Sequence, residues 1–312
     1  MGFKLIPDNT KINFLKYRKI CAVLSIGILL GTLLLLGFKG LNYGIDFSGG
    51  TLVQIQTEKV VNVARLRDAL NKAGYEGLTI QEYGAEDEFI VRMAGGDGAE
   101  ATQHAEEMAQ AVQAVAGQVD VRRVEFVGPQ IGEELRRKGI IALSLALIAI
   151  LIYISARFEF RYGVGAIAAL GHDIFMTVGV FALLQKEVTL TVLAALLTII
   201  GYSLNDTIVV FDRVRENTRK YRKRKMMDIL DLSINEMLNR TLITSLTTFV
   251  VLLALFMFGG GVIHDFAFTL MFGVLVGTYS SVFIASPVVL LLDKYYKNRP
   301  DKDKEKIQPG TV

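Results

Sequence analysis

Three charged side chains stand inside long apolar stretches of this chain: Asp173, Asp206 and Arg240. In hydrocarbon an isolated ion costs several kcal/mol or more, so such groups pair or line a wet path. A carboxyl group drawn out of water holds its proton more tightly, and a guanidinium brought near drives that proton off. Arginine suits the second role because it stays charged throughout. Asp206 can therefore take up and release a proton as its helix shifts against Arg240, which couples proton passage to movement. The competing use is a static ion pair that holds two helices together. Asn205, beside the carboxylate, and Thr244, one turn beyond Arg240, are supporting polar groups that can bond a water or pack against a neighbouring helix. His172 and Asp173 make a second polar point, read either as part of a proton path or as packing.

Other chemistries find no residues to carry them. No second His or Cys stands at ligand spacing beside His172, so no metal site is expected. No HExxH occurs, and Gly201-Tyr202-Ser203 lacks the closing glycine of a nucleophile elbow. A Gly-x-x-x-x-Gly-Lys-Ser/Thr loop is absent, so ATP is not the expected energy source. The expectation is no catalytic residue and no cofactor, with protons as the coupling ion. The single cysteine, Cys21, lies in an apolar run and cannot form a disulfide within the chain.

The elements that position these groups are membrane spans. The chain has 312 residues, 52% of them hydrophobic, and a bilayer core of about 30 Å needs roughly 20 apolar residues per helix. Six stretches qualify or come close: 20–38, 139–155, 163–184, 190–211, 241–258 and 266–292. The first is read as an uncleaved span rather than a signal peptide. Basic residues then orient the bundle. Segment 1–19 holds five Lys and Arg, 156–162 two, the loop 212–239 eight and the tail 293–312 six, whereas the short connections 185–189 and 259–265 hold only Lys186. By the positive-inside rule both termini are cytoplasmic. The basic loop is read as a topology signal with anionic-lipid contact. Counting inward from Asp212 and Glu236 at ~1.5 Å per residue puts Asp206 about 9 Å and Arg240 about 6 Å deep, on consecutive antiparallel helices.

Segment 39–138 lies on the other side and has the composition of a soluble domain. Thr51–Thr57, Leu78–Tyr83, Phe89–Met93 and Val119–Val127 read as strands; Val63–Ala73 and Glu100–Ala116 read as helices. Gly95, Gly96 and Gly98 make a break. The order βαββαβ predicts a split-βαβ, ferredoxin-like domain. The predicted fold is thus an all-α six-helix membrane bundle with an α+β extracytoplasmic domain. Gly49 and Gly50, at its entry, serve either as a hinge or as a tight turn that needs glycine.

The stretch from Gly201 to Asn217, GYSLNDTIVVFDRVREN, resembles the fourth-helix signature of the SecF family of bacterial and archaeal protein-export subunits. Tyr43–Thr51 (YGIDFSGGT), Gly171–Asp173 and Asn239–Thr241 are also similar to that family's motifs. The resemblance implies half of a resistance-nodulation-division transporter core that works with SecD, the SecYEG channel and YajC in the bacterial inner membrane. It implies handling of preproteins, use of the proton motive force to complete their export after the ATP-driven step, and no role for nucleic acid. It places Asp206 at the proton-coupling carboxylate and Arg240 at its partner. The alternative is a proton-coupled exporter of small molecules or lipid from the same superfamily.

Overall fold

The computed structural model describes residue 7, residues 10–95 and residues 98–297. Gly96, Lys4 and the tail from 298 onward, with four of its six basic residues, lie outside the described residues. Six helices are long and apolar enough to cross a membrane. They are α1 (Arg18–Phe38, entered through a 3₁₀ turn at Phe14–Tyr17), α5 (Pro129–Arg157), α6 (Phe160–Leu184), α7 (Leu190–Lys220), α8 (Met226–Phe258) and α9 (Gly260–Ser280), the last continued through a π turn at Ser281–Ala285 into α10 (Ser286–Lys297). The π turn sits just before Pro287, whose missing N–H and ring disturb the helical ladder.

The helices run past the apolar stretches that predict them. The 139–155 stretch is the inner part of a helix that starts at Pro129, and the 241–258 stretch belongs to one that starts at Met226. The 212–239 loop is therefore mostly helical, with only residues 221–225 between α7 and α8. Polar side chains outside the bilayer keep these extensions soluble without interrupting backbone bonding. The extensions are knitted by charge. Arg213 Nε donates to Glu236 (2.6 Å), Asn217 Nδ2 donates to the same carboxylate (2.7 Å) and to Ser233 Oγ (3.0 Å), and Arg161 pairs with Asp293 (2.7 Å).

Helices α6, α7 and α9–α10 are the buried layer; α1, α5 and α8 flank them and turn most of their apolar surface outward. Lipid is as apolar as leucine, so close packing and polar bonds hold such helices together. Gly273 and Gly277, one turn apart on α9, let α7 approach: a Cβ at Gly277 would stand 3.0 Å from that of Ser203, and one at Gly273 would collide with Ile199.

Between α1 and α5 comes the domain that sits at one end of the bundle. Its sheet contains β2 (Gly50–Thr57), β3 (Thr79–Tyr83), β4 (Ala85–Met93) and β5 (Val119–Val127), in the order β3-β4-β2-β5, every neighbour antiparallel. With α3 (Val63–Lys72) and α4 (Gly98–Ala116), this is the ferredoxin-like arrangement. Val53, Ile55, Phe89 and Val91 from one face of the sheet pack on Leu66, Leu70, Met108 and Val112 of the two helices. A feature without a sequence signal is the foot of the domain, where β1 (Asn42–Tyr43) pairs in parallel with β6 (Glu187–Val188) in the α6–α7 connection, followed by a single helical turn, α2 (Ile45–Ser48).

Gly273→Val overpacks the α7–α9 contact and should cost about 1–3 kcal/mol, read as a lowered unfolding temperature in detergent; Ile199→Ala in the same chain should restore part of it.

Candidate functional site

The polar groups of the bundle interior gather where α6, α7 and α9 meet. Asp173 on α6 is fully buried. Its Oδ2 accepts hydrogen bonds from Ser203 Oγ of α7 (2.5 Å) and Ser280 Oγ of α9 (2.7 Å), and its Oδ1 lies 3.0 Å from His172 Nδ1. Thr207 Oγ1, one turn further along α7, and the Oγ of Ser281, the first residue of the π turn, extend the seam at 3.0 Å from each other. The π turn widens α9 at this point, and Ser281 hangs from the Gly277 carbonyl (2.9 Å). His172 Nε2 and Tyr202 Oη are buried without a partner. The His172 ring tilts against Tyr279, which donates to the Cys21 carbonyl of α1 (3.2 Å).

Asp206 lies one helical turn from Ser203 on α7 and is 4% exposed, with its Oδ2 buried and unpartnered. The bonded rungs between α7 and α8, Asn217–Ser233 and Arg213–Glu236, set the register of this antiparallel pair. Following it inward brings Asp206 opposite the stretch of α8 between Arg240 and Ser245, the α8 groups that act on its carboxylate. Ser245 in turn shares a hydrogen bond with Thr278 of α9 (2.8 Å). Arg240 and Asp206 are near neighbours, and no ion pair joins them among the described residues.

The supporting residues divide. Thr244 is exposed and its hydroxyl is used by its own helix, on the carbonyls of Arg240 (3.1 Å) and Thr241 (2.9 Å). Asn205 is exposed on α7, and Arg240 is exposed on α8. Three polar side chains thus stand on the outside of the isolated bundle at membrane depth. Ser203, Ser280, Ser281, Thr207, Ser245 and Thr278 escape a sequence search, because a hydroxyl in an apolar run costs little when it bonds its own helix. The sequence signal for Ser280-Ser281 is its place one turn after Gly277, between glycine and proline in a span.

At the other end of the bundle, Gly49 and Gly50 form a corner with φ of +71° and +119°. A Cβ at Gly49 would lie 2.8 Å from Pro129 Cα, and one at Gly50 would lie 2.5 Å from the Met93 carbonyl oxygen. Only glycine fits this junction of β2, β4 and α5. The foot beside it is tied down by Asp46, which accepts from the Leu190 N–H (2.8 Å), by Gly44 N–H donating to the Val188 carbonyl (2.9 Å), and by an ion pair between Arg92 of β4 and Glu187.

Removing one donor from the α6–α7–α9 knot leaves a buried carboxylate oxygen short of a partner, so Ser203→Ala and Ser280→Ala should each destabilise the bundle by about 1–3 kcal/mol, measured by thermal unfolding in detergent. Alanine at both Gly49 and Gly50 should lower the yield of folded protein; a normal yield with slowed export would make the pair a pivot rather than a turn.

The sequence matches the family described as "Protein export membrane protein SecD/SecF, C-terminal" over residues 107–295, and the SecD/SecF GG motif over residues 34–59. The chain is 46% identical over 306 residues to the protein translocase subunit SecF of Vibrio alginolyticus, covering 97% of each chain. It is 42% identical over 267 residues to that of Escherichia coli O157:H7, covering 85% of this chain and 83% of the relative. Among solved structures it is similar to SecDF, a translocon-associated membrane protein from Thermus thermophilus, with a TM-score of 0.85 at 35% identity. That match covers 93% of this chain and 40% of the SecDF chain. The chain belongs to the SecF branch of the SecD/SecF family of protein-export membrane proteins.

Proposed function

We propose that this multi-pass translocase subunit converts protonation of Asp206 into movement of the helices beneath its sheet domain, and so assists protein export with the proton motive force. The observation that carries the reading is the state of the carboxylate. Asp206 is buried, has an oxygen without a partner and lies beside a guanidinium that is close but not clamped to it. A proton bound there removes the attraction to Arg240, and its loss restores it. Because the two groups belong to α7 and α8, the change is felt as a shift of one helix against the other. A potential of 100 mV is worth about 2.3 kcal/mol per charge moved, enough to bias a two-state rotation of the domain but not to unfold a stable protein in one stroke. Asp173, already satisfied by two hydroxyls, serves in this reading as the anchor about which α6, α7 and α9 stay together, one turn from the moving site.

The exposed Asn205, Arg240 and Thr244 support a second membrane chain, since lipid cannot solvate such a face. The solved SecDF chain is more than twice as long as the part matched here, and a SecD-type partner is the proposed cover. SecYEG and YajC complete the proposed assembly, with translocating preproteins as its substrate and the bacterial inner membrane as its location. The basic residues of segments 1–19 and 212–239 support cytoplasmic termini, with the sheet domain on the other side. The small-molecule or lipid exporter is not favoured, because the relatives matched along most of their length are translocase subunits.

Asp206→Asn should insert at a normal level yet lose the potential-dependent part of preprotein maturation in inverted membrane vesicles. Full potential-driven maturation with this variant would overturn the coupling role.

A further inference from the structure

A crevice opens between α5 and the α6–α7 pair at the end of the bundle that carries the sheet domain. It encloses about 200 Å³. Leu143 of α5, Val178 and Phe181 of α6, Leu193 and Leu196 of α7 and Phe47 of the foot are among the side chains that make its walls apolar. The crevice exists because α5 stands off from the bundle. Gly139 supplies no side chain at the narrowest point, where a Cβ would come 2.7 Å from Leu193 Cδ2 and 3.8 Å from the Phe47 ring. Below it α5 turns Ile140, Ile141 and Leu145 outward, each at least half exposed, so the opening faces the bilayer.

At the mouth stands Arg136, the cation among the lining residues on α5. Its side chain is exposed and makes no hydrogen bond or ion pair among the described residues, whereas Lys138, two residues on, is engaged by Glu134 at 2.8 Å. An unpaired arginine at the membrane surface on the domain side runs against the general placement of basic residues on the opposite side. An apolar slot with a free guanidinium at its rim, one turn from where the apolar run begins, has the polarity of a phospholipid: chain inward, phosphate at the surface. Arginine is the side chain whose fork matches phosphate oxygens, and basic pockets between spans select anionic head groups.

We propose that this crevice is a binding site for one anionic phospholipid of the outer leaflet, its acyl chain between α5 and α7 and its phosphate on Arg136. The bound lipid fills the gap under Phe47 and Tyr43 and so becomes part of the support on which the foot of the sheet domain rests. The site is separate from the Asp206 region and does not depend on proton coupling.

The chain has no tryptophan, which gives a direct test. Tyr43→Trp places a single fluorophore in the wall of the crevice, and the full-length variant is reconstituted into vesicles of phosphatidylcholine containing a minor fraction of brominated phosphatidylglycerol or, separately, brominated phosphatidylcholine. Leu151→Trp, on the exposed inner half of α5, reports the bulk lipid. Quenching at position 43 should favour phosphatidylglycerol several-fold at equal bromine content, with no preference at position 151. Arg136→Gln in the Tyr43→Trp chain should abolish the preference and Arg136→Lys should retain part of it. Equal quenching by the two lipids at position 43, a preference that survives Arg136→Gln, or no quenching at all because protein fills the crevice, would each overturn the proposal. Circular dichroism of the reconstituted variants confirms that they are folded.

Discussion

A carboxylate placed where water is excluded must be supplied with donors by the protein, and in this chain that demand organises the bundle. Asp173 draws a serine from α7 and another from α9 onto one oxygen, and its neighbour His172 onto the other. Three helices whose apolar surfaces have no preference for one another over lipid are fixed in register by those bonds. Glycines 273 and 277 allow the approach, and the π turn at 281–285 presents Ser281 to Thr207. Packing and polar bonding are here one device: without the glycines the serines would not reach, and without the carboxylate the close approach would have little to hold it.

One turn along α7 the opposite condition holds. Asp206 is nearly as buried, yet one of its oxygens has no partner and its cation stays at a distance. A fully satisfied acid is a fixed point; an under-satisfied acid beside an unclamped guanidinium is a group whose surroundings change with its charge. The side chains around it, Asn205, Arg240 and Thr244, are exposed on the outer face of α7 and α8.

The sheet domain is joined to the bundle at more than its two chain connections. The parallel pair β1–β6, the Asp46–Leu190 bond and the Arg92–Glu187 pair all land on the α6–α7 connection. That connection leads directly into α7, the helix that carries Ser203 and Asp206. A displacement of α7 along its axis therefore reaches the foot of the domain through a few bonded residues, while the glycine corner at 49–50 fixes where β2 leaves it.

Chain order and composition determined a great deal. Continuous apolar runs long enough to cross hydrocarbon name six helices, because within each run a helix bonds all of its own backbone groups where lipid offers no partner. Alternating and helical periodicities name the four strands and two helices of the ferredoxin-like domain to within a few residues. The rarity of charge in a span singles out Asp173, Asp206 and Arg240. Where the helices end was not legible, since outside the bilayer a helix such as α8 continues on polar residues with no apolar signal. Nor was the partnership of Asp173 with Ser203 and Ser280, or the β1–β6 pair, because these join residues up to 145 positions apart whose types are ordinary anywhere else. Only the tertiary structure decided which carboxylate is satisfied and which is not, since a local sequence sets how often a polar group occurs, whereas hydrogen bonding depends on which other helices bring their donors within 3 Å of it.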